Sequence, residues 1–171
     1  AAHENVVLAP AGPPLTQLRV QGGRMGREDG SRFPWPGITA FQLIDDIADG
    51  REAKAIALLD WAHANHVTIV RVLSVLGTGM FELPQQQGIA YLPRLLDLAA
   101  ERGLYVEVVG LANTKDYKFD HAAHVRAIGQ ICVIKRNCVV ELANDPNHER
   151  HAGIVGDPDY LMQLRAHIPA S

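Results

Sequence analysis

Three runs of mostly apolar, β-branched residues, starting at Val67, Leu104 and Cys138, each follow a segment with helical periodicity. Glu52 to Asn65 sets Ala55, Ile56, Leu59 and Ala62 on one helical face, and Val67 to Leu76 then forms an apolar run broken by Arg71. Ile89 to Arg102 repeats the helical period, stops at Gly103, and gives way to Leu104 to Val109. Val125, Ile128 and Cys132 line a third helix before Cys138 to Ala143. A last helix is expected with Asp157 as N-cap, Pro158 at its first position, and Leu161, Leu164 and Ile168 turned inward. Strands too apolar to face water on either side require a parallel sheet covered by helices, which makes the fold class α/β.

Ahead of these units, residues 1–17 read as an extended lead-in. Leu18 to Met25, the acidic glycine turn Glu28-Asp29-Gly30 and Ser31 to Phe33 read as a hairpin. Periodicity alone leaves open whether the parallel sheet is an open doubly wound one or part of a closed barrel. Gly77 and Gly79, the glycines nearest to a phosphate loop, match neither the dinucleotide fingerprint nor the P-loop, so no nucleotide cofactor is expected.

Composition narrows the function classes. With 47% hydrophobic and 20% charged residues and a net charge of -3, the 171 residues are those of a soluble globular chain without a basic face for nucleic acid. No run approaches the roughly 20 apolar residues of a membrane span, and residues 1–14 lack the pattern of a secretory signal. The first residue is not Met, as expected of a processed secreted protein, an excised piece or an incomplete chain. Cys132 and Cys138 are expected as buried free thiols, since two cysteines make neither a disulfide framework nor a paired-dyad zinc site. The pairs His121/His124 and His148/His151 have a spacing open to metal binding, but each lacks a third ligand, so no metal site is expected.

The segment Val139-Val140-Glu141-Leu142-Ala143-Asn144-Asp145-Pro146-Asn147-His148 resembles the fourth-strand signature of the cellulase-like, clan A, retaining glycoside hydrolases, whose strand ends in Asn-Glu-Pro. A hairpin before a first strand within Phe33 to Phe41, and an arginine in the second strand Ile69-Val70-Arg71-Val72-Leu73, also look like that family. The resemblance covers Leu18 to the end. It implies a TIM (β/α)₈-barrel type of which residues 18–171 form the N-terminal half, with about four βα units after the hairpin. It further implies hydrolysis of β-linked poly- or oligosaccharides with no cofactor. On that likeness Asp145 takes the place of the catalytic acid/base, Asn144 contacts the sugar, and Arg71 lies near the floor of the site.

Two departures stand out. Asp withdraws the carboxyl by about 1.5 Å relative to Glu, in a mechanism that sets two carboxyl groups ~5 to 5.5 Å apart. The nucleophile, which the family takes from the seventh strand, has no counterpart here. A complete barrel needs ~250 residues, so the other half is expected from the parent polypeptide, a second copy or a second chain. A noncatalytic carbohydrate-binding or scaffold protein is the alternative.

Simpler roles stand beside these. Asp145-Pro146 also suits a plain turn after a strand, and Arg71 suits core pairing as well as substrate contact. Glu141 is expected in a structural ion pair with Arg71. His148 and Asn113, with Lys115 and Asp116, are candidates for lining the cleft, Trp35 for stacking on a sugar or for plain packing, and Trp61 is expected in the core.

Overall fold

The computed structural model describes residues 15–74, 85–115 and 119–169. Gly77, Gly79, Asp116, most of the lead-in and the end of the first apolar run lie outside them. The chain opens with a hairpin, β1 (Leu18–Gln21) and β2 (Arg24–Arg27), and continues into β3 (Gly37–Thr39), α1 (Leu43–Ala48) and α2 (Glu52–Ala64). There follow β4 (Ile69–Leu73), α3 (Gln85–Ala100), β5 (Tyr105–Leu111), α4 (His121–Lys135) and β6 (Cys138–Ala143). A 3₁₀ turn at Gly153–Gly156 leads to α5 (Pro158–Arg165), which Asp157 caps from its side chain as expected.

Strands β3, β4, β5 and β6 form one parallel sheet in chain order. This is the expected set of four βα units. Register pairs Arg71 with Glu107 and Val109 with Glu141, so alternate residues divide the sheet into two faces. Val70, Val72, Val106, Val108 and Cys138 point outward and are buried against Leu59, Leu92, Leu96 and Ile128 of the helices. The opposite face carries Arg71, Glu107 and Glu141 among apolar residues. At its N-terminal end Ile69 and Tyr105 are sealed by Leu18 and Phe33 from the hairpin region. Tyr105 Oη donates to the carbonyl of Thr16 at 2.5 Å, and Glu28 pairs with Arg136 beyond α4, which together clamp the hairpin to the N-terminal end of the sheet.

The structure corrects three readings and adds one helix. The hairpin lies wholly within Leu18–Arg27 and turns at Gly22 and Gly23, whose φ values of 56° and 75° suit a two-residue turn; the acidic loop only leads to a bridge between Gly26 and Arg32. Helix α1 was not anticipated, because six residues are too few to display a period. Trp61 is 52% exposed: the buried stripe of α2 is Ala55, Leu59 and Ala62, and two positions beyond Leu59 a helix has turned about 200° away. Cys132 and Cys138 are joined in a disulfide rather than free. Arg136, in the left-handed conformation at the end of α4, reverses the chain so that their Cα atoms stand 5.3 Å apart, within bridging range. Among the described residues no helix is long and apolar enough to cross a membrane.

Two buried titratable groups act oppositely on stability. His124, with Nε2 3.1 Å from Ser74 Oγ, has its pKa lowered by burial to about 4. Asp45 has both carboxylate oxygens buried without a hydrogen bond among the described residues, and burial raises its pKa to about 7. The His124 contribution is complete above its unfolded pKa near 6.5 and is lost as pH falls toward 4, a difference of about 3 kcal/mol. The Asp45 contribution is complete below its unfolded value and is lost as pH rises through 7. Denaturant unfolding across pH 4 to 8 is therefore expected to show the wild-type advantage over His124→Gln shrinking toward acid, and that over Asp45→Asn shrinking toward neutral pH.

Candidate active site

A guanidinium in the middle of an apolar strand needs partners, because leaving it unpaired in a half-dry site is costly. Arg71, in the centre of β4, finds them on β6. Its Nε donates to Glu141 Oε2 and its Nη2 to Glu141 Oε1, both at 2.6 Å, in a two-pronged pair about one quarter exposed on each side. Nη2 also donates to Asn144 Oδ1 at 3.0 Å, while the guanidinium lies 5.2 Å from the Phe41 ring centroid. The expected Arg71–Glu141 pair is thus present, and one arginine joins core pairing to the residue at the strand end.

Glu107, beside Arg71 on β5, completes the charged cluster. Its pKa is raised, first by burial and then by the Glu141 charge, with Arg71 opposing. The Arg71 pKa is raised chiefly by its bond to Glu141; burial opposes, and the charges of Glu141, Glu107 and Asp145 add to the rise. Glu107 was missed in the sequence, although it interrupts an apolar strand in the same way as Arg71.

Asn144 follows directly on β6 and extends the ladder, its N–H donating to the Leu111 carbonyl at 2.9 Å. Asp145 comes next with φ of 45°, where the chain leaves the strand and turns so that the N–H of His148 donates back to its carbonyl. Short Asp tolerates this left-handed conformation better than Glu, which gives a backbone reason for Asp at this point. The Asp145 side chain is exposed and, among the described residues, has no hydrogen-bond partner.

Of the other candidates, His148 is an exposed residue of the same rim, its Nδ1 accepting from the N–H of Arg150. Asn113, half-buried with φ of 51°, lies just past the end of β5 at that rim too. Trp35 is not brought there. It precedes β3, at the opposite end of the sheet, and stacks edge-on against Phe33 at 5.8 Å.

Two further residues were missed as a pair: buried His151 and Thr114 tie the loops after β5 and β6 together. His121 bonds Tyr160, and among the described residues no group of three or more His, Cys, Asp or Glu is placed to hold a metal.

No family model matches the chain, and no curated protein is significantly similar to it. Solved structures do match. A protein described as a glycoside hydrolase superposes with a TM-score of 0.62 at 14% identity, over 90% of this chain and 38% of its own. A family 5 glycoside hydrolase from Bacteroides vulgatus gives 0.61 at 16%, over 89% and 37%. A β-mannanase of Thermomonospora fusca, solved with mannotriose, gives 0.51 at 16%, over 90% and 62%. The chain therefore has the α/β fold of part of a TIM-type barrel. These structures are glycoside hydrolases, the kind of protein that Val139 to His148 resembles, and the chain shares their fold while spanning less than two thirds of each.

Replacing Arg71 by Met removes the cation from Glu141 and Glu107 together. Stability should fall on the order of 2 kcal/mol, less than the ~3–5 kcal/mol for a fully buried pair because this one is partly solvated. NMR titration of the Glu107 carboxyl should show its pKa moving further up.

Proposed function

We propose that this chain forms the acid/base half of a retaining glycoside hydrolase acting on β-linked poly- or oligosaccharides. The observation that carries the reading is the linkage of Arg71, Glu141 and Asn144 just below the exposed Asp145, which follows β6 at the C-terminal end of a parallel sheet, the end at which barrels of this type place their chemistry. Asp145 would protonate the leaving oxygen and later take a proton from the attacking water. Asn144, with its side-chain Oδ1 held by Arg71, would turn its side-chain N–H donors to a sugar hydroxyl. Arg71 would fix the electrostatics beneath, and His148 and Asn113 would line the rim. The nucleophile would come from the remainder of the barrel.

Support for a completing half comes from the open sheet. Among the described residues β3 and β6 each pair on one side only. Beside the free edge of β6 runs a groove of about 1060 Å³ lined by Leu18, Val20, Val133, Val140, Met162 and Ile168. Such an unpaired edge next to apolar surface calls for a further strand. The parent polypeptide, a second copy and a second chain are all able to supply it.

The carboxyl of Asp145, exposed and without a hydrogen-bond partner among the described residues, favours a second reading, a barrel that binds carbohydrate without cleaving it. The two separate in the completed barrel on chromogenic β-glycosides. If Asp145 is a short-reaching acid, Asp145→Glu advances the carboxyl by about 1.5 Å and should raise kcat by ~10- to 100-fold, while Asp145→Asn should abolish turnover. Silence in all three proteins together with calorimetric sugar binding would establish the binding module.

A further inference from the structure

The loop that follows β6 contains a buried histidine without an assigned role. His151 is only 4% exposed, and both of its ring nitrogens are engaged. Nε2 lies 2.6 Å from the carbonyl oxygen of Asn144, and Nδ1 lies 3.2 Å from Thr114 Oγ1. A carbonyl oxygen only accepts, so Nε2 carries the proton and Nδ1 of the neutral ring is the acceptor. The Thr114 hydroxyl then donates to Nδ1, while its oxygen accepts the N–H of Ala152 at 2.9 Å. Every donor and acceptor in this chain of contacts is used in one consistent direction.

The consequence falls on the peptide that joins Asn144 to Asp145. Asn144 is held from three sides: its N–H by the Leu111 carbonyl, its side-chain oxygen by Arg71, and its carbonyl by His151. Because a peptide is planar, fixing the carbonyl of Asn144 also fixes the N–H of Asp145 and the plane from which the Asp145 φ of 45° is set. The neighbouring loop is bound into the same frame, with the N–H of Lys115 donating to the Arg150 carbonyl at 3.0 Å.

We propose that His151 is a positioning residue for the acid at the barrel mouth, holding the Asn144–Asp145 peptide through Nε2 in an orientation keyed by Thr114. The proposal rests on the acid/base reading of Asp145 for its catalytic consequence, and on geometry alone for the positioning. His151 touches no reacting atom; its effect passes through one peptide plane, where a displacement near 1 Å costs ~100-fold in rate.

The test compares His151→Leu, which removes the donor, with His151→Gln, whose amide keeps one, and with Thr114→Val, which removes the key to the ring tautomer. The completed barrel is assayed on 4-nitrophenyl β-glycosides, and amide shifts and hydrogen exchange are recorded for residues 144–148. His151→Leu should lose ~10- to 100-fold in kcat with KM within about twofold, and should shift the Asp145 amide and speed its exchange. His151→Gln should recover most of the rate, and Thr114→Val should fall between. Equal losses in the Leu and Gln variants, or a raised KM with unchanged kcat, would overturn the proposal. If the wild-type barrel cleaves no glycoside, the sugar-cleaving reading fails by itself and the amide readout decides the positioning. An Asp145 amide unmoved in His151→Leu then overturns it, and one that moves upholds it.

Discussion

One charge in the wrong medium organises this chain: the guanidinium of Arg71, placed in the middle of an otherwise apolar parallel strand. It is bound by Glu141 from β6, a strand that is not its neighbour, so the pair reaches across β5 over roughly two interstrand spacings of ~4.8 Å. That single contact couples β4 to β6, puts charge on an otherwise apolar face of the sheet, and leaves the second Nη2 hydrogen to hold Asn144.

The electrostatic consequence is a cluster with one cation and three carboxylates, Glu107, Glu141 and Asp145. Glu141 takes both prongs of Arg71, and Glu107 is left beside the pair with its carboxyl shifted toward the protonated form. Asp145 stands above them in water, contributing to the field at Arg71 from a distance. The division follows from layers: carboxylates lower on the sheet lie beside the arginine, and the one beyond the strand end is exposed to solvent.

Much of this was legible in the residues, for identifiable reasons. Cys138 to Ala143 and the Asp157-Pro158 helix start were located to the residue, because a β-branched run and a capped proline are local signals that tertiary packing does not override. The Arg71–Glu141 partnership was legible because a charge on a buried strand demands a counterpart. Other features depend on backbone conformation or on contacts distant in sequence. The φ of Asp145, the disulfide made possible by the reversal at Arg136, and the bond from His151 back to the Asn144 carbonyl are properties of the folded loop. Trp61 shows the converse error, in which hydrophobic identity was given more weight than its angular position on α2. Trp35, open in the sequence to sugar stacking or plain packing, falls before β3 because that strand begins only at Gly37, and it packs on Phe33.

The central claim is that a carboxyl group at position 145 works as the acid and base of a double displacement. The most direct measurement is the anomeric configuration of the first sugar released from a β-linked oligosaccharide by the completed barrel, followed by proton NMR before mutarotation. The account predicts that the β-anomer forms first. Release of the α-anomer first, or intact oligosaccharide after prolonged incubation, would contradict it.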